Sequence, residues 1–421
     1  MAEIGKLDYS VDAVKVTSST GEVFDIKDLV VGIDVYESLL SPYIKCELTI
    51  ADASNFLEVA PLIGQEKVEL KITEANKKVN KTFYIGSISN YIKGNAQSAV
   101  YIIKLITPEQ MMNSLTLVSQ AYTGTITESI TNIIKDYLNS SFKTIPDNTN
   151  GNYRVIIPNW NPFQAIDWLA KRAINSKQTP FMFYETWSDG FKFESFETMF
   201  NKATYNKFVH KGSSNAHDDA SNQQASYNVA LEYDMKGYSD TYKNTLRGTF
   251  GSGMHMIDIG NKNYKFLKYD YSTDFNKKPH LDKIPFLNSN FKVNGKSLNE
   301  YDAIHHVSNK NANAFGEVTI NNYNNEVEFT KLETDPYIYQ LSLTKMNLII
   351  RGRTDLCPGK VIEFEVDRDK PLVYGGTKDI NEYISGKYLV LNVHHQMTNG
   401  KYKIIMDVVR DSFGKKVKKR L

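Results

Sequence analysis

A chain of 421 residues exceeds one ordinary domain and has room for two or three, each burying its own core. Its 50 Lys+Arg stand against 48 Asp+Glu, a field too weak to drive general adhesion to nucleic acid or to a membrane surface. Two cysteines, Cys46 and Cys357, exclude a disulfide framework, and no window approaches the ~18 apolar residues of a membrane-spanning helix.

The first ten residues carry Glu3, Lys6 and Asp8 and lack an apolar signal core, so synthesis and assembly are expected in a reducing cytoplasm. Short runs rich in β-branched and aromatic residues follow. Val11 to Val16 alternates, a Ser18-Ser19-Thr20-Gly21 turn leads to Val23-Phe24-Asp25-Ile26, and then come Ile44 to Ile50, Val68 to Ile72, Phe83-Tyr84-Ile85 and Ala99 to Ile106. Residues 1–107 therefore read as an N-terminal antiparallel β-barrel.

The period changes after Thr107-Pro108. Thr125-Ile126-Thr127-Glu128 is a capping box, and Ile126, Ile130, Ile133, Ile134, Tyr137 and Leu138 keep helical spacing behind it. Asn161-Pro162 opens a second helix, with Asn161 as the cap. Phe181 to Trp187 and Phe191 to Phe196 flank the hairpin turn Ser188-Asp189-Gly190. Residues 108–205 thus form a small α/β domain with two helices and a hairpin. The polar stretch 206–227 reads as a linker. Strands resume in 228–410, a second β-barrel with insertions that include the asparagine-rich stretch 309–325, expected to be a long loop. Residues 411–421 are a basic tail, Lys415 to Arg420. The fold class is α+β, mostly β, with two similar barrels flanking the α/β domain.

The similarity of the two barrels rests on a weak internal echo. Val68 to Ile72 follows the glycine turn at Gly64, as Ile362 to Val366 follows Gly359. Phe83-Tyr84-Ile85 matches Tyr388-Leu389-Val390, Lys104 to Thr107 matches Asp407 to Arg410, and Glu47 to Ile50 matches Asn347 to Ile350. With two similar barrels per chain, three chains set six around a ring and convert threefold into approximate sixfold symmetry.

The run Ile33 to Ile50, continuing to Leu62-Ile63-Gly64-Gln65-Glu66, resembles the opening domain of contractile-tail bacteriophage baseplate hubs. Asn161 to Ala170 and the hairpin at Asp189-Gly190 are similar to that family's second domain. Leu356 to Val361, Gly386 to Val390 and His394-His395 are similar to its C-terminal barrel. The resemblance extends over about 1–205 and 228–410. It implies a non-enzymatic homotrimer in the virion tail, adapting the threefold central spike to the sixfold tail tube, and kinship with the hub part of type VI secretion spikes. Tube or tube-initiator proteins and the spike are the implied partners, with a tape-measure protein and the baseplate wedge as further candidates; no membrane and no specific nucleic acid are expected.

No catalytic, metal or cofactor-binding residues are assigned. His305-His306 and His394-His395 are adjacent, so on a strand each pair points to opposite faces and cannot grip one metal. Gly248 to Gly253 lacks the Lys-Ser/Thr of a phosphate loop and reads as a flexible turn. Glu363 and Glu365 share a strand face, as a glycosidase carboxylate pair would, but such spacing also describes any solvated strand side. Cys46 and Cys357 are placed on equivalent strands as buried thiols. The aromatic hairpin can bury one face in its own domain, which leaves Phe183, Trp187, Phe191 and Phe193 as candidates for a subunit contact. Rival readings are a tail-associated cell-wall hydrolase and a carbohydrate-binding adhesin.

Overall fold

A computed structural model describes residues 9–60, 62–74, 77–95, 98–210, 228–238, 240–259, 262–309, 328–367 and 380–414. Most of the 206–227 linker, nearly all of the asparagine-rich stretch and the basic run at 415–420 lie outside the described residues.

The alternating segments of the N-terminal region become β1 (Ser10–Thr17), β2 (Val23–Asp25), β3 (Val30–Ser38), β4 (Lys45–Asp52), β5 (Lys67–Glu74), β6 (Lys77–Asn95) and β7 (Ser98–Ile106), with one helical turn, α1 (Phe56–Val59). Alternation decides their faces: on β4, Cys46, Leu48 and Ile50 are buried while Lys45, Glu47 and Thr49 turn outward.

The middle region holds α2 (Pro108–Leu115), β8 (Val118–Gly124), α3 (Ile126–Leu138), β9 (Tyr153–Trp160), α4 (Pro162–Ala170), the hairpin β10 (Phe181–Thr186) and β11 (Gly190–Ser195), and α5 (Phe196–Asn201). The capping box forms: Glu128 N–H donates to Thr125 Oγ1 at 3.2 Å and Thr125 N–H to Glu128 Oε2 at 2.9 Å. Asn161 does not cap α4 with its side chain. Its Nδ2 donates to Asn113 O at 2.8 Å, and the free Phe163 N–H is taken by Asn113 Oδ1 at 2.8 Å, so the cap is borrowed from the end of α2.

The remainder supplies β12 (Lys207–His210), β13 (Ala230–Tyr238), β14 (Gly251–Asp258), β15 (Asn263–Asp270), β16 (Ile284–Pro285), β17 (His305–Asn309), β18 (Thr344–Arg351), β19 (Val361–Val366), β20 (Gly386–Thr398), β21 (Lys401–Arg410) and β22 (Ser412–Phe413). Residues 207–210, expected as linker, are a strand because Phe208 inserts fully into the core. Ser412 and Phe413, expected as tail, pair with β16. β14, β15 and β17 make a separate three-stranded sheet with its own core around Phe250, Met254 and Tyr271. Gly251 and Gly253, expected in a flexible turn, lie in β14. A Cβ on Gly253 would stand 2.8 Å from the Phe266 ring, so the requirement there is close approach.

Thirteen strands join in one sheet, in which the run β13-β18-β21-β20 continues through a β20–β3 pairing into β3-β4-β7-β6-β5-β1-β2, with β19 and β12 branching from β20. The two halves pair their strands in the same order: β3-β4-β7-β6-β5-β1 and β13-β18-β21-β20-β19-β12. The register also agrees. Val68 faces Phe83 as Ile362 faces Tyr388; Ile85 faces Leu105 as Val390 faces Val408; Leu48 faces Ile103 as Leu348 faces Met406. Two irregularities coincide, bulges between Val30 and Gly32 and between Ala230 and Glu232, and again between Ile85 and Ser87 and between Val390 and Asn392, whereas those at Met235–Gly237, Ser89–Ile92 and Lys93–Asn95 have no counterpart in the other half. The halves differ in their last pairing: β1 is antiparallel to β5, whereas β12 is parallel to β19.

At its end, β12 returns to the start of β13 by one parallel bridge, Val209 to Val229, with Val209 N–H donating to Asn228 O at 2.9 Å. In the first half β1 leads back toward β3 through β2 and the 3-10 turn Lys27–Leu29. Among the described residues no ladder closes either run, and both belong to the one sheet.

Candidate assembly surface

The joint between the halves is an antiparallel ladder from Asn392 opposite Ser38 to Thr398 opposite Gly32. On its outer face Ser38 Oγ donates to Asn392 Oδ1 at 2.7 Å. His394 Nε2 meets Asp34 Oδ1 at 2.7 Å, and its ring stacks on Tyr36 with centroids 4.3 Å apart. His395 points the other way and is fully buried. Its Nε2 lies 3.0 Å from Glu37 Oε1 and its Nδ1 2.7 Å from the Tyr402 hydroxyl. Because a carboxylate only accepts, the neutral tautomer with its proton on Nε2 satisfies both contacts, donating to Glu37 and accepting from Tyr402. Burial, and then the Glu37 carboxylate, hold the Tyr402 phenol well above its ordinary range.

The aromatic hairpin sits against both halves. Phe181, Phe183, Phe191 and Phe193 share one face and pack with Phe163 and Ile166 in the α/β core, Phe183 and Phe191 stacking at 5.2 Å. Trp187, in the turn, packs against Phe83 of the main sheet at 6.2 Å. The opposite face, Met182 and Tyr184, is covered by Leu389, Val361 and Val409 from the outer side of the C-terminal half. Phe183, Trp187, Phe191 and Phe193 are thus buried by their own chain, at 8%, 2%, 2% and 0% exposure, and the expected subunit contact through their rings gives way to an internal packing role. The expectation counted only the hairpin's own domain; the second face is covered by a neighbouring region of the same chain. Lys81 Nζ also grips Glu185 on this hairpin at 2.6 Å, while burial, opposed by that lysine, raises the Glu185 carboxyl above its ordinary range.

The groups considered for catalysis do not converge. Glu363 and Glu365 both contact Lys207 on the parallel neighbour β12, so their charge is answered within the sheet. His305 faces outward toward His255, 3.0 Å away, and His306 faces in and is half-buried. Among the described residues no three His, Cys, Asp or Glu side chains are placed to hold a metal. Both thiols are buried, and burial followed by the charge of Glu37 pushes the Cys357 thiol up to about 12, unsuited to nucleophilic work. Cys46 lies on β4, where the second half has Met346 on β18; Cys357 lies in the turn before β19, so the two are not equivalent. A cavity of about 510 Å³ opens between β6 and the α/β region; Lys77 and Lys81 on its wall are already paired with Asp355 and Glu185.

No family model matches the chain, and no curated protein matches it in sequence. Solved structures do match. The tail protein from Neisseria meningitidis MC58 is similar at a TM-score of 0.55 and 11% identity, over 96% of this chain and 97% of that one. The 43 kDa tail protein of prophage MuSo2 from Shewanella oneidensis is similar at 0.54 and 9%, over 95% and 98%. The E. coli c3393 protein, a component of the type VI secretion system, follows at 0.44 and 10%, over 92% and 76%. The fold is that of tail proteins, spanning nearly the whole of this chain.

Proposed function

We propose, starting from the tail-protein fold, that this chain is a structural subunit of a bacteriophage contractile-tail baseplate, its hub, and acts by geometry rather than by catalysis. Each six-strand run is one barrel-like unit, and three chains place six units around an axis. The ring then offers six near-equivalent positions to the tail tube on one side and true threefold symmetry to the central spike on the other. Tube or tube-initiator proteins and the spike are its partners in the virion, with tape-measure and wedge proteins at the margins.

The observation that carries this reading is the in-register repetition of one strand order within a single chain, with a bulge shared at the start of β3 and of β13. A hydrolase would need a convergent acid-base pair, and the carboxylates best spaced for it are held by Lys207. Native mass spectrometry of the purified chain, with imaging of tails carrying it, tests the proposal. A species of three times the 47.9 kDa chain mass, located at the tube–spike junction, is expected. A chain that stays single at high concentration and is absent from tails refutes it.

A further inference from the structure

His305 and His306, adjacent in the chain, face opposite ways, but the inserted sheet gives His305 a different imidazole for company. β14 and β17 run parallel with Gly253 opposite His305, so His255, two residues on, stands diagonally across from it on the outer face. His255 Nε2 lies 3.0 Å from His305 Nδ1. Gly253 makes this approach possible: a Cβ there would stand 3.3 Å from His305 Nδ1 and 2.8 Å from the Phe266 ring.

The pair is held from both sides. The Tyr264 hydroxyl meets His255 Nδ1 at 2.7 Å. Phe266, opposite His255 on β15, lies against both imidazoles, with centroids 4.8 Å from His255 and 6.1 Å from His305. Lys268, opposite Gly253 on β15, would repel a cation, but Asp302 answers it at 3.0 Å. His305 is exposed and His255 half-buried, so a solute reaches both. A hydrogen-bond partner on the second nitrogen of a metal-binding imidazole fixes its tautomer and ring orientation, which is the place Tyr264 takes here.

The geometry points to a divalent transition-metal site formed by His255 Nε2 and His305 Nδ1, with Tyr264 orienting His255. Two nitrogens bound at about 2.0–2.1 Å stand about 2.8–3.0 Å apart when they meet the ion at a right angle, and about 3.3–3.4 Å apart in a tetrahedron. The 3.0 Å separation fits the first arrangement, that of Ni²⁺ and Cu²⁺ on nitrogen and oxygen ligands. As the pair stands, one facing nitrogen donates to the other. The ion takes the place of that proton, which moves to the second nitrogen of its own ring, and the rings tilt to aim both lone pairs at the ion. Among the described residues no third His, Cys, Asp or Glu joins the pair, so water fills the other positions. The site lies within one chain and is independent of the ring reading.

Calorimetric titration of the untagged full-length protein with Ni²⁺ tests the site. One ion per chain should bind. His255→Ala and His305→Ala should each weaken that binding about 10²-fold, the advantage of linking two ligands, and Tyr264→Phe should weaken it about 10-fold or more. His306→Ala and His394→Ala should bind as the parent does. Thermal midpoints without added Ni²⁺ should match the parent's in all these variants except His306→Ala and His394→Ala, whose side chains make contacts of their own, and so separate lost binding from lost folding. A parent that takes up no Ni²⁺, or binding that either His255→Ala or His305→Ala leaves unchanged, overturns the site. A Tyr264→Phe protein that binds like the parent overturns the orienting role of Tyr264.

Discussion

His395→Leu tests the polar network beneath the internal joint. Leucine preserves apolar bulk but withdraws the donor to Glu37 and the acceptor for Tyr402, contacts of 3.0 and 2.7 Å in a fully buried setting. The second carboxylate oxygen, Glu37 Oε2, already has no hydrogen-bond partner among the described residues, so the variant strands the whole group. Removing a hydrogen bond to a buried carboxylate costs about 1.5–3 kcal/mol, and an orphaned buried hydroxyl about 1–3 kcal/mol. The variant should lose at least about 3 kcal/mol, a large share of the ~5–15 kcal/mol of a typical domain. Glu37→Leu added to it removes the stranded charge, so the double variant should lie about 0.5–3 kcal/mol above the sum of the singles. Urea unfolding followed by circular dichroism and tyrosine fluorescence measures both quantities. A His395→Leu protein within about 1 kcal/mol of the parent, or singles additive within about 0.5 kcal/mol, refutes the network.

Gly352→Ala should destabilise by at least about 1–3 kcal/mol, because the new Cβ would lie 1.9 Å from the Tyr402 ring, which is fixed in the core; a thermal midpoint equal to the parent's contradicts this. Trp187→Ala should cost about 3–5 kcal/mol through the cavity left beside Phe83, read from the urea midpoint, with Trp187→Phe costing much less because it also removes an Nε1–H that has no partner among the described residues. Glu66 supplies a pH test. Burial works to raise its carboxyl, but the N–H groups of Ile63, Gly64 and Gln65, at 2.6, 3.0 and 3.0 Å, win and hold it below its ordinary 4.5. A depressed folded value means stability that is present above pH 4.5 and lost as pH falls through the lower folded value. The parent's advantage over Glu66→Gln, about 1–3 kcal/mol near neutral pH, should hold down to about pH 4.5 and shrink from there through the lower folded value; a gap that widens on acidification contradicts the sign.

The strands that echo one another in sequence face one another's counterparts in the folded chain because alternation and turn glycines are local signals. Val68 and Ile362 each follow a positive-φ glycine, Gly64 at 90° and Gly359 at 80°, and each begins a strand buried on one face. Pairings across the chain carry no such mark. Ser38 and Asn392, bonded at the joint, are 354 positions apart, and nothing around either names the other. The strand at Lys207–His210 was hidden for a related reason: four residues beside a polar stretch show too little alternation, and their pairing is decided by the distant β19. The hairpin rings were recognisable as a cluster, but their role depended on Leu389, Val361 and Val409 covering the second face, which only the tertiary arrangement supplies.

The two halves agree at their edges and differ in what is inserted between strands. β3 reaches β4 through residues 39–44, whereas their counterparts β13 and β18 are separated by residues 239–343, which hold the β14–β15–β17 sheet. In the proposed ring, the repeated strand order supplies near-sixfold regularity, and this insertion, present in one unit of each two, reduces it to threefold. The sheet turns Tyr264, Phe266 and Val307 outward at 59%, 41% and 72% exposure, Phe266 and Val307 on either side of His255 and Tyr264 opposite Ile257. If the repeated strand runs build the proposed ring and the insertion decorates it, Tyr264→Ser, Phe266→Ser and Val307→Ser together should leave the three-chain native mass unchanged. A triple variant that falls to single chains would place the assembly contact on the inserted sheet.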